Sequence, residues 1–180
     1  MKKITLLLLI FVSYSVFAQF PLPYCGPIVF TATTDPVEPI TLVNFAGINN
    51  STSALPGTNN GTTIIAHEDY TTITGNVTAG SSYTIILKGN TVGNYTNRFM
   101  VFADWNQDGD FTDTGEELYN SANTGSTISI PSTLKQDNYY RIRWVAVSGS
   151  GEALSCGSVS AGETKDYALQ ILQASKDFSA

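Results

Sequence analysis

Six carboxylates and no lysine or arginine lie between Asp104 and Glu117, in the run Asp104-Trp105-Asn106-Gln107-Asp108-Gly109-Asp110-Phe111-Thr112-Asp113-Thr114-Gly115-Glu116-Glu117. So many like charges repel one another unless a cation or solvent neutralises them. Side-chain oxygens recur at Asp104, Asn106 and Asp108, and Gly109 then permits a tight turn, which is the first half of a D-x-[DN]-x-[DN]-G calcium loop. In that pattern Asp110 ligates through its carbonyl and Thr112 through water. Position twelve, where a bidentate Glu is expected, is Gly115, and Glu116 stands one residue late. The closing oxygen therefore comes from Glu116 or from a distant carboxylate, Glu163 or Asp166, and Asp113 falls outside the pattern. Hard oxygen donors without Cys or His select Ca2+ over zinc or copper.

Other chemistry finds little purchase. His67 is the single histidine, and no G-x-S-x-G elbow accompanies it as a nucleophile. No carboxylate pair stands apart from the calcium spacing as a glycosidase pair. A non-catalytic protein is expected. Tyr139, Arg141 and Arg143 alternate on one face of a strand, as a ligand patch or as partners of Glu163 and Asp166.

The elements that position these residues begin with a leader. Met1-Lys2-Lys3, the apolar run Ile4–Val12 and Val16-Phe17-Ala18 read as a secretory signal peptide over 1–18, cut before Gln19. The apolar run is short for a membrane span, so an exported chain without membrane insertion is expected. Without Lys2 and Lys3 the net charge moves from −6 to −8, which disfavours nucleic acid and anionic lipid as partners. Export favours a Cys25–Cys156 disulfide, with lipidation at Cys25 as the rival.

Residues 19–174 read as one domain and 175–180 as a loose tail. Short alternating runs bounded by Gly, Asn and Pro point to an all-β antiparallel sandwich, jelly-roll-like or immunoglobulin-like. Strands are expected at 40–45, from about 62 to 70, as a short edge from Val77, and at 82–88, 98–103, 126–130, 139–147 and 167–171. Residues 46–60 read as a long polar connection, and Glu163 and Asp166 as flanking a turn into the last strand.

Tyr24-Cys25, the acidic loop with Gly115-Glu116, Arg141-Ile142-Arg143, Cys156 and Gly162-Glu163-Thr164-Lys165-Asp166-Tyr167 together resemble the GEVED domain. Leu42-Val43-Asn44-Phe45 and Glu68-Asp69-Tyr70-Thr71 look like its weaker early blocks. The resemblance implies a β-sandwich module of secreted and surface bacterial proteins. Lys165 departs from the motif, standing where it has its second Glu. The expected function is a secreted, calcium-stabilised module that recognises a glycan or protein at a cell surface; the alternatives are a structural component of a surface complex and, more distantly, a secreted hydrolase. If the leader is cut as its residues indicate, the exported product begins at Gln19; N-terminal sequencing that returns Met1 overturns that reading.

Overall fold

The computed structural model describes residues 24–26, 37–53, 66–91, 93, 95–149, 155–157 and 161–173. The leader, Ile64 and Ile65, and the tail lie outside the described residues. Among those described there is no helix, and hence none long and apolar enough to cross a membrane. Nine strands form two sheets. β1 (Ile40–Phe45), β2 (Ile48–Ser51), β4 (Ser82–Gly89) and β7 (Gly125–Ser129) make the four-stranded sheet, in the order β2-β1-β4-β7. β3 (His67–Thr78), β5 (Asn97–Ala103), β6 (Glu117–Ser121), β8 (Tyr139–Ser148) and β9 (Gly162–Leu172) make the five-stranded sheet, in the order β3-β9-β8-β5-β6.

Alternation builds the interior. Val43 and Phe45 of β1 and Ile85 and Leu87 of β4 are buried against Phe99 and Val101 of β5, Trp144 of β8 and Leu169 of β9. Phe45 meets Trp144 edge-on at 5.6 Å between ring centres, joining the two sheets. The chain is an all-β sandwich, as its alternating pattern predicts. Ile128, Ile130, Tyr140, Ile142, Tyr167 and Ile171 point inward as expected.

Three elements differ from the expectation. The connection after β1 turns at once through Ala46 (φ 50°) and Gly47 (φ 93°), and Asn49 and Asn50 pair back onto β1 as a hairpin. Two consecutive positive φ values give that turn, and polar side chains mask the strand that follows. Val77 does not open a strand; it lies near the end of β3, a twelve-residue edge strand that runs parallel to β9. The five-stranded sheet is therefore mixed, where an antiparallel one was expected. β9 begins at Gly162, so Glu163 and Asp166 are strand residues and not the flanks of a turn.

The other face of the five-stranded sheet is also covered. Met100 and Phe102 of β5 and Val145 and Val147 of β8 form a second apolar cluster, closed by Phe111 of the acidic loop and by Tyr24 and Cys25. Cys25 and Cys156 form the expected disulfide, with Cα atoms 5.7 Å apart, and no cysteine is free.

Gly162 begins β9 at φ 150°, and a Cβ there would overlap the Ala146 carbonyl oxygen and lie 2.9 Å from its carbon. Gly47 has positive φ with open space around it. Gly162→Ala should therefore lower the melting temperature well beyond Gly47→Ala, which costs about 1–2 kcal/mol from backbone strain alone. Equal losses for the two variants would refute close packing at Gly162.

Candidate functional site

The acidic loop is held from below. Phe111 is buried in the outer apolar cluster, its ring 5.3 Å from that of Tyr24 and 6.5 Å from that of Phe102. Asp104 follows β5 and is wholly buried. Its Oδ1 accepts the Gln107 amide at 2.6 Å; its Oδ2 accepts the Gly109 amide at 3.1 Å and the Tyr24 hydroxyl at 2.6 Å. Asp104 thus closes the turn, in which Gln107 (φ 64°) and Gly109 (φ 96°) are left-handed. Burial, then the Asp104 hydrogen bond, pushes the Tyr24 hydroxyl far above its ordinary pKa.

Beyond Asp104 the side chains fix the backbone in a ladder. Asn106 Oδ1 accepts the Asp108 amide, Asp108 Oδ1 the Asp110 amide, and Asp110 Oδ1 both the amide and the hydroxyl of Thr112. Glu116 is buried and braces the far end: Oε1 accepts the Trp105 amide at 2.8 Å, and Oε2 the Asp113 amide at 3.3 Å. Burial pushes the Glu116 pKa up, and those two amides oppose the shift. Hydrogen bonds from the Asp110 amide and then Asn106 hold the exposed Asp108 carboxyl below its ordinary range.

The result is a convergence of carboxylates. Ligand oxygens of Asp108, Asp110 and Asp113 all lie within 4.8 Å of one another. Oxygens sharing one calcium ion at 2.3–2.6 Å are at most about 5 Å apart, so this set fits such an ion. Asn106 spans the group, donating from Nδ2 to Asp108 Oδ2 and Asp113 Oδ2. Asp113, outside the twelve-position pattern, is the residue that sequence reasoning missed; the early turn at Gly115 (φ 93°) and the Glu116 brace bring it in. Asp110 joins through its carboxylate, where the pattern assigns its carbonyl.

The two distant carboxylates are committed elsewhere. Asp166 is fully buried: Oδ1 accepts from Arg143 Nε at 2.7 Å, and Oδ2 from Arg143 Nη2 at 2.8 Å and Arg141 Nη1 at 3.1 Å, with His67 Nε2 at 3.2 Å. Glu163 accepts the Ile40 amide at 2.7 Å and pairs with Lys165 at 3.0 Å, while Lys165 also pairs with Glu68. Neither carboxylate joins the cluster of three. The terminal motif instead reaches the acidic loop through side chains: Asp166 holds Arg141, whose guanidinium lies 4.7 Å from the Tyr24 ring centre, and Tyr24 donates to Asp104.

Arg143 is also fully buried, donating to the carbonyls of Cys25 and Ser155 and lying 4.8 Å over Phe111. It cannot serve an exposed ligand patch with Tyr139. His67 is buried, and burial lowers its pKa against the pull of Asp166. The ring packs with Nε2 3.2 Å from Asp166 Oδ2. This arrangement anchors a strand.

Residues 98–170 match the family model of the GEVED domain. That span runs from β5 into β9 and takes in the acidic loop, Arg141, Arg143 and Asp166. No curated protein and no solved structure matches the chain.

Burial raises the Asp166 pKa, but the Arg143 and His67 bonds outweigh it and set the carboxyl at about 2. Its folded value lies below the ordinary 3.8, so its stabilisation is complete above about pH 4 and lost as pH falls through about 2, an effect on the order of 2 kcal/mol. Glu163 is the opposite case. Burial sets it at about 7, so its contribution is complete below the ordinary 4.5 and lost as pH rises through 7. Denaturant unfolding across pH should show Asp166→Asn flattening the acid limb and Glu163→Gln the limb from pH 4.5 to 7. An Asp166→Asn profile parallel to the parent's between pH 4 and 2 contradicts the charge assignment.

Proposed function

For a chain whose residues 98–170 form a GEVED domain, we propose an exported, calcium-stabilised recognition module that binds a glycan or protein at a cell surface without catalysis. The observation that carries the cation part is the convergence of Asp108, Asp110 and Asp113 on a loop whose base is fixed by Phe111 and Asp104. A bound Ca2+ would take one or more oxygens from each carboxylate and neutralise charges the fold holds together. Water and loop carbonyls would complete six to eight ligands. Asp104 and Glu116 stay with their amides and keep the loop in shape.

Export is supported by the leader, and the disulfide suits an oxidising compartment. Calcium outside cells is abundant enough for an exposed site of modest affinity. The non-catalytic part rests on where the reactive groups are spent: both cysteines are bonded to each other, and His67 packs on the Asp166 anchor.

With a Kd of about 10 μM, about 1 mM calcium stabilises the fold by about 2.7 kcal/mol, a rise of about 5–11 °C in melting temperature for a domain of this size. Asp108→Ala should remove most of that rise. Asp113→Asn should weaken it too, although the twelve-position pattern alone would leave it untouched. A parent melting point that is the same in calcium and in chelator makes the loop a solvated turn and ends the cation reading.

A further inference from the structure

A cleft of about 420 Å³ opens where the β4–β5 connection meets β1 and the β6–β7 turn. We propose that this cleft is a saccharide-binding site, with Tyr95 as its stacking platform. The proposal rests on the reading of the chain as a recognition module and gives that module a place and a ligand class.

Its size falls within the range of small-ligand sites. Tyr95 stands at its edge 68% exposed, the most exposed large hydrophobic side chain among the described residues. A sugar ring offers an apolar C–H face and a rim of hydroxyls. An uncovered tyrosine offers the matching flat surface and a hydroxyl of its own.

The remaining lining supplies neutral hydrogen-bonding groups. Thr41, Thr91 and Thr124, which carry hydroxyls, line the cleft from three different elements. The Thr91 hydroxyl donates to the Gly93 carbonyl at 3.3 Å and keeps its lone pairs for an incoming donor. Phe99 forms an apolar part of the wall. Asn97 is buried beside it, its amide nitrogen donating to Glu38 and its Oδ1 resting against bare Gly89. A Cβ at 89 would occupy the place of that oxygen, so glycine there seats Asn97 in the wall.

The charge pattern narrows the ligand. Among the described residues no carboxylate lines the cleft, in a chain with fifteen acidic residues, and Lys88 is the one charged lining residue. Without a carboxylate pair the site holds a glycosidic bond without cleaving it. One exposed ammonium is too few for a phosphate-rich ligand, which draws arginine clusters. It suits a neutral saccharide or one bearing a carboxylate.

The test titrates the full exported protein with cellotetraose, xylotetraose, mannotetraose, chitotetraose and tetragalacturonate, following affinity by calorimetry and the site by amide chemical shifts. At least one probe should bind, with shifts centred on residues 88–99, and Tyr95→Ala should weaken it at least tenfold with an unchanged melting point. Lys88→Gln should weaken tetragalacturonate selectively if that is the bound probe. No residue of the acidic loop lines the cleft, so binding should persist in chelator below the melting transition. Calcium stabilisation without saccharide binding overturns this proposal alone. Saccharide binding without calcium stabilisation overturns the cation reading alone. Failure of all five probes, or binding that Tyr95→Ala leaves intact, refutes the site.

Discussion

A single buried carboxylate holds the outer face together. Desolvating Asp166 costs several kcal/mol, recovered only when its lone pairs are filled by well-placed donors. Arg143 supplies a two-point contact, Arg141 adds a third bond, and the His67 ring packs with Nε2 3.2 Å away. Each partner leads to a different part of the fold. His67 opens β3. Arg143 continues to the Cys25 and Ser155 carbonyls on the two sides of the disulfide. Arg141 continues to Tyr24 and so to Asp104. The parallel edge strand, the disulfide segment and the acidic loop are thereby referred to one point on β9.

The acidic loop depends on that point. Its exposed carboxylates repel one another, and a loop with nothing beneath it would spread them. Phe111 and Asp104 prevent this from inside, one by apolar burial and the other by holding the turn amides. Arg143 lies over Phe111 while it grips Asp166, so apolar and ionic anchoring share a side chain. The disulfide adds covalent closure across 131 residues. A cation arriving at Asp108, Asp110 and Asp113 would meet oxygens already gathered, and the ordering cost of binding would be correspondingly small.

Most of the fold was legible because strand alternation is a local signal. Tyr83, Ile85 and Leu87, or Tyr140, Ile142 and Trp144, announce both a strand and its inward face. Where polar residues fill a strand, the signal vanishes: Asn49, Asn50 and Ser51 look like loop, and only the Ala46–Gly47 turn makes them β2. Glu163, Thr164, Lys165 and Asp166 look like a surface turn because their burial depends on partners far away in sequence. The metal pattern pointed to Asp108 through its side chain and to Asp110 through its carbonyl. It could not give Asp113, whose arrival follows from loop geometry after Gly109, nor show that Asp104 and Glu116 spend their oxygens on backbone amides. The route from Asp166 to the loop was out of reach, since it passes through Tyr24, 142 residues earlier.

Lys165 has a physical consequence of its own. Its side chain lies on the inner face of β9, paired with Glu163 and Glu68 and 5.2 Å from the Tyr70 ring centre. Glu163 is carried to about 7 by burial, with Lys165 pulling it down and Glu68 pushing it up. A glutamate at 165 would place three carboxylates in this one region between the sheets. Such a group must take up protons or a cation to remain buried. Lysine supplies a covalently attached cation at the same place, so this end of the sandwich closes with its charges paired internally. Glu163 is then free to accept the Ile40 amide and tie β9 to the opposite sheet. Asp166, three residues further along and on the other face, performs the matching task outward. Alternation along the four residues Glu163 to Asp166 thus sends one anchor to each side of the sheet, which explains why this charged stretch is buried.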